Sequence, residues 1–130
     1  MTAQRILVVE DNERNLKLIR DVLQFAGYEI VEATSGEQGV ALAQDCEPDL
    51  VLMDLQLPQM DGTEALRLLR ESPRTRDVPV VAVTAFAMRE DRERAFGAGF
   101  DGYLQKPISI RALPEQVRGF LAGKGSRSPG

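Results

Sequence analysis

The stretch Asp49-Leu50-Val51-Leu52-Met53-Asp54-Leu55-Gln56-Leu57-Pro58 decides the fold. From Leu50 to Met53 every position is apolar, whereas a strand with one wet face would alternate. A strand buried on both faces belongs to a parallel sheet covered by helices on each side. The run stops at a carboxylate, Asp54, and Pro58 and Asp61-Gly62 then mark a loop. Asp54 therefore stands where a buried strand breaks, and in open α/β sheets ligands bind outside that carboxyl edge. A carboxylate there costs desolvation free energy unless something pairs with it. A helix N-cap role explains Asp61 better, because Asp61 precedes Thr63-Glu64 in capping-box spacing.

Working outward, Ile6-Leu7-Val8-Val9 forms a second such run and also ends in acid, at Glu10-Asp11. Val80-Val81-Ala82-Val83 is a third, ending in Thr84-Ala85, and Phe100 to Gln105 reads as a strand that runs into Lys106-Pro107. Tyr28 to Ala33 alternates enough to lie nearer a sheet edge. Between these runs the spacing is helical. Asn12 caps a helix carrying Leu16, Ile19, Leu23 and Ala26, which Gly27 stops. Ser35 with Gln38 opens a helix through about Gln44. Ala65, Leu66 and Leu69 share one face of a helix over Thr63–Arg70, and a charged helix covers about Met88 to Ala98. Ser109 caps a last helix reaching about Leu121, with Pro114 a turn inside it. There the proline removes an N–H and crowds the Ile110 carbonyl, so the helix starts late or bends. Five strands alternating with five helices predict a three-layer α/β sandwich with right-handed crossovers. Gly97-Ala98-Gly99-Phe100-Asp101-Gly102 matches G-x-G-x-x-G, but it follows a helix and leads into a strand. A dinucleotide fingerprint needs the opposite order. Gly123 to Gly130 reads as a frayed, flexible tail.

Composition narrows the chemistry. The 130 residues fit one domain, with 43% hydrophobic and 28% charged content. A net charge of -4 argues against a general nucleic-acid binder. The single cysteine, Cys46, rules out an internal disulfide and reads as a packing residue. With no histidine, imidazole-based catalysis, imidazole-bound metal and phosphohistidine on this chain are all excluded. The apolar run near the N-terminus is too short for a signal or a membrane span, which points to the cytoplasm.

Parallel strands would gather Glu10, Asp11, Asp54, Thr84 and Lys106 at one sheet edge. Three carboxylates and one ammonium leave a formal -2 there, which one divalent cation would neutralise. An all-oxygen donor set favours Mg²⁺. Phosphoryl transfer chiefly needs positioning and charge stabilisation, and a carboxylate can serve as its nucleophile. The inferred chemistry is phosphorylation of an aspartate.

Through Glu10-Asp11, Asp54 with Pro58 and Gly62, Thr84-Ala85 and Lys106-Pro107, the chain resembles the receiver domains of two-component response regulators over about residues 4–122. That resemblance implies a flavodoxin-like (βα)5 fold with strand order 2-1-3-4-5. It makes Asp54 the phosphoacceptor, and has Glu10, Asp11, Asp54 and the Gln56 backbone carbonyl coordinate Mg²⁺, for which Mn²⁺ could substitute. It also implies that Thr84 bonds the phosphoryl group, that Lys106 pairs with it, that Tyr103 holds an aromatic switch position, and that the Lys106-Pro107 bond is cis. Phe86 would sit at the rim of the site and shield the acyl phosphate from water. Val9-Glu10-Asp11-Asn12-Glu13, Met53 to Pro58 and Val83 to Met88 resemble single-domain regulators of the DivK type, and also receivers attached to hybrid kinases. Nothing after Leu121 reads as an output domain, which favours the free-standing form.

The implied function is acceptance of a phosphoryl group from a phosphohistidine of a sensor kinase or phosphotransfer protein, followed by a change in protein–protein binding. The resemblance places the output surface on the fourth helix, fifth strand and fifth helix. Arg89, Glu90, Asp91, Arg92, Glu93 and Arg94 fit a partner-reading face or an ordinary solvated one equally well. A Mg²⁺-dependent phosphatase with an aspartate nucleophile is the enzymatic alternative. It needs a second acid two residues on, where this chain has Gln56. A constitutive receiver-like scaffold is the third reading, and the complete set of site residues opposes it.

Overall fold

The structure is a computed structural model that describes residues 3–85 and 88–122. Elements run β1 (Arg5–Val9), α1 (Glu13–Phe25), β2 (Glu29–Ala33), α2 (Gly36–Cys46), β3 (Leu50–Asp54), α3 (Gly62–Glu71), β4 (Val80–Thr84), α4 (Arg89–Ala98), β5 (Gly102–Gln105) and α5 (Leu113–Ala122). The strands form one parallel sheet in the order β2-β1-β3-β4-β5. This is the flavodoxin-like arrangement expected from the sequence.

Alternation along each strand splits the apolar runs between two cores. Leu7, Val9, Val51, Met53, Val80 and Ala82 pack with Ala43 of α2, Ala65, Leu66 and Leu69 of α3, and Ala95 of α4. Ile6, Val8, Leu50, Leu52, Val81, Val83 and Leu104 face the other way, toward Leu16, Ile19 and Leu23 of α1 and Leu113, Val117 and Leu121 of α5. Fully burying each of the Leu, Ile, Val and Met side chains among them is worth about 1.5–3 kcal/mol. β3 and β4 are buried at every position, while β2, at the edge, is only partly covered.

The expected caps form. Asn12, Ser35 and Asp61 accept from the N–H groups of Asn15, Gln38 and Glu64, and Gly27 takes φ 103, the left-handed turn that ends α1. Two boundaries differ from the sequence reading. β5 begins at Gly102, because Phe100 is used in the core and Asp101 accepts from Val80 N and pairs with Arg70. α5 begins at Leu113. Ser109 Oγ caps only a turn, accepting from Ala112 N at 3.1 Å, and the helix starts late around Pro114, whose missing N–H is tolerated in a first turn. The expectations for Phe86 and for the tail from Gly123 fall outside the described residues.

Candidate functional site

Each parallel strand delivers its last residue, or the one after it, to the same edge. Glu10 follows β1, Asp54 and Thr84 end β3 and β4, and Lys106 follows β5. Register makes the gathering compulsory, since Val9 lies opposite Met53, Asp54 opposite Val83, and Thr84 opposite Gln105.

Glu10 and Asp54 are almost wholly buried, at 1% and 2% exposure, and Thr84 is fully buried. Asp11 is exposed. Oxygens of Glu10, Asp11 and Asp54 all lie within 4.8 Å of one another, so the three carboxylates could hold a metal ion. Lys106 Nζ donates to Asp54 Oδ2 at 2.9 Å, and Gln56 N donates to Asp54 Oδ1 at 2.9 Å. Both oxygens of the buried carboxylate are thereby satisfied. Lys106 Nζ also forms an ion pair with Glu10 Oε1 at 3.1 Å. Beyond that ion pair Oε1 is buried without a hydrogen-bond partner among the described residues, while Oε2 accepts from Asn12 N at 3.1 Å.

Electrostatics follow from this crowding. Burial first, then the adjacent Asp54 carboxylate, push Glu10 up to about 7, and Asn12 N–H and Lys106 offset only part of that. Burial pulls Lys106 down, but its contacts with Asp54 and Glu10 outweigh burial and leave it above the usual lysine value.

The loop that follows β3 is held tightly. Gly62 N donates to Leu55 O at 3.2 Å, and a Cβ on Gly62 would lie 2.7 Å from the Asp54 carbonyl oxygen. Only glycine allows α3 to start so close beneath the Asp54 backbone. The Lys106-Pro107 bond is cis.

Of the residues singled out from sequence, Glu10, Asp11, Asp54 and Lys106 meet directly. Thr84 joins through Gln56, whose Nε2 donates to Thr84 Oγ1 at 3.1 Å. Sequence reasoning assigned Gln56 only a backbone role and missed this side-chain link. Tyr103 stands apart on β5, half-buried, with its hydroxyl buried and without a hydrogen-bond partner among the described residues. Burial pushes that hydroxyl up from its ordinary value. A cavity of about 220 Å³ opens beside Gln56 and Thr84, bounded by Thr63 of α3 and Asp91, Arg94 and Ala95 of α4.

Known proteins match this chain in both sequence and fold. The response regulator receiver domain family matches residues 6–118. The chain is 43% identical over 116 residues to the polar-differentiation response regulator DivK of Brucella ovis, covering 89% of this chain and 94% of that protein. The receiver domain of sensor histidine kinase PA1611 from Pseudomonas aeruginosa, solved with a magnesium ion coordinated in its active-site cleft, superposes with a TM-score of 0.85 at 36% identity. That match covers 93% of this chain and 99% of the other. A CheY-like receiver protein from Methanospirillum hungatei gives a TM-score of 0.85 at 30% identity, covering 98% of this chain and all of the other, 100%.

Proposed function

Since this chain belongs to the response regulator receiver domain family, we propose that it is a DivK-like single-domain regulator whose Asp54 accepts a phosphoryl group from a phosphohistidine on a sensor kinase or histidine phosphotransfer protein. One observation carries the reading. Asp54 is a carboxylate of 2% exposure at the carboxyl edge of a parallel sheet, paired to Lys106 at 2.9 Å inside an acidic cluster. The Brucella regulator is itself little longer than this domain, since the match spans 94% of it, and that supports the free-standing form.

In the transfer, an Asp54 carboxylate oxygen attacks the phosphorus. The P–N bond to the donor imidazole breaks with its electron pair leaving on nitrogen, and a P–O bond to Asp54 forms. Lys106 offsets the charge that gathers on the phosphoryl oxygens, from a position that needs no reorganisation. The site fits Mg²⁺, because its donors are all oxygens and Glu10 Oε1 is buried without a hydrogen-bond partner. Glu10, Asp11, Asp54 and the Gln56 carbonyl would hold the ion, and Mn²⁺ shares the same ligand preference. When bound, the cation supplies neutralisation of the transferring group's charge.

Thr84 then donates to the new phosphoryl group, and Tyr103 passes the change to a protein partner through α4, β5 and α5. The net charge of -4 and the mixed signs on α4 speak against DNA as that partner. No described helix is long and apolar enough to cross a membrane, and the proposal includes a cytoplasmic setting. The receiver acts as a signalling domain, and Gln56 stands where a phosphatase of this nucleophile class would carry its second acid.

The test is labelling by acetyl phosphate with Mg²⁺, comparing the protein with its Thr84→Ala and Asp54→Asn variants. Asp54→Asn should take up no label. Thr84→Ala should take it up yet lose the phosphorylation-dependent shift at Tyr103. Undiminished labelling of Asp54→Asn, or full labelling in excess chelator, refutes the assignment.

A further inference from the structure

Gln56 touches both halves of the site. Its backbone N–H holds Asp54 Oδ1 at 2.9 Å, while its side-chain amide donates to Thr84 Oγ1 at 3.1 Å. We infer that the Gln56 side chain is a positioning residue that latches the Thr84 hydroxyl in the unphosphorylated arrangement, and so sets how readily the domain switches. The inference rests on Asp54 being the phosphoacceptor.

Thr84 is fully buried at the end of β4, so its Oγ1 moves between discrete staggered positions. Oγ1 accepts from the Gln56 amide and keeps its own O–H to donate, so the bond opposes a change of Thr84 rotamer and not donation as such. In the latch, Thr84 steps to another staggered position to bring its hydroxyl to a phosphoryl group on Asp54, and that step breaks the bond. Space for it exists, since the cavity of about 220 Å³ between α3 and α4 is lined by both Gln56 and Thr84. Ala95 is the one described residue of α4 that is buried, so movement at Thr84 meets a helix with little apolar anchoring.

Gln56 is exposed, so replacing it does not hollow the core. A single neutral hydrogen bond shifts a two-state equilibrium by about two- to tenfold. Gln56→Met keeps the length but cannot donate, and Gln56→Ala removes the chain altogether. Both should raise the resting population of the switched state by that factor. The readout is the backbone amide spectrum with Mg²⁺ alone and with beryllofluoride added as a phosphoryl mimic. In the absence of beryllofluoride, the Thr84 and Tyr103 signals of both variants should move toward the positions they take in the beryllofluoride-bound wild type. In a Thr84→Val background, Gln56→Met should move Tyr103 no further. Variant spectra that change only beside residue 56, or an equal Tyr103 shift in the Thr84→Val background, overturn the latch alone. A wild-type spectrum unmoved by beryllofluoride overturns the phosphoacceptor reading, and the latch with it.

Discussion

Asp11→Asn should make the metal-free protein more stable while weakening its grip on Mg²⁺. The reason is repulsion. Asp11 contributes an oxygen within 4.8 Å of oxygens on both Glu10 and Asp54. Two like charges at that separation repel by about 1 kcal/mol in water and about 3.5 kcal/mol at an effective dielectric of about 20. Asp11 is exposed, so the lower figure governs, and its two neighbours together give about 1–2 kcal/mol. For a domain of this size that is a rise in Tm of about 4–8 °C. The assay is thermal unfolding in chelator, above the Glu10 titration at about 7 so that Glu10 carries its charge. Saturating Mg²⁺, worth about 2.7 kcal/mol to the wild type at a hundred times its Kd, should stabilise the variant by less and narrow the gap. A variant no more stable than wild type in chelator, or equal stabilisation of both by Mg²⁺, would refute the reasoning.

Two further predictions concern the same edge. Glu10 titrates at about 7 in the folded protein against an ordinary 4.5, so between those values the folded state holds a proton that the unfolded chain has lost. Its contribution to metal-free stability is full below about 4.5 and falls as pH rises through about 7, whereas Mg²⁺ affinity climbs over that window because binding expels the proton. Calorimetric titration at several pH values checks this, and a flat affinity profile contradicts it. Gly62→Ala would put a methyl 2.7 Å from the Asp54 carbonyl oxygen and 2.9 Å from Leu55 Cδ2. It should cost about 1–3 kcal/mol in denaturant unfolding and slow phosphorylation, since Asp54 must shift; wild-type stability would show that the loop yields freely.

The fold was readable because β1, β3 and β4 are apolar at consecutive positions, and doubly buried parallel strands leave that mark. The carboxylate cluster was readable for the same reason, since parallel order alone brings Glu10, Asp54 and Lys106 to one edge. The boundaries of β5 and α5 were not. Phe100 and Asp101 suit a strand locally but are used for the core and for Arg70, and Ser109 opens a turn that the helix does not continue. The Gln56–Thr84 bond joins residues 28 apart, and no local pattern announces it. Nor does sequence suggest that Glu47, just before a proline, takes the left-handed φ of 47 that ends α2. These features depend on which surfaces meet after folding, which spacing along a chain does not record.

The central claim is a covalent bond at one side chain, and chemical mapping reads it directly. Protein phosphorylated by acetyl phosphate with Mg²⁺ is reduced with borohydride, which converts an aspartyl phosphate to homoserine, and the peptides are then sequenced by mass spectrometry. The account predicts homoserine at position 54 alone, dependent on both phosphodonor and Mg²⁺. Homoserine at Asp11 or any other acidic position, or none at 54 in protein that carries label, would contradict it.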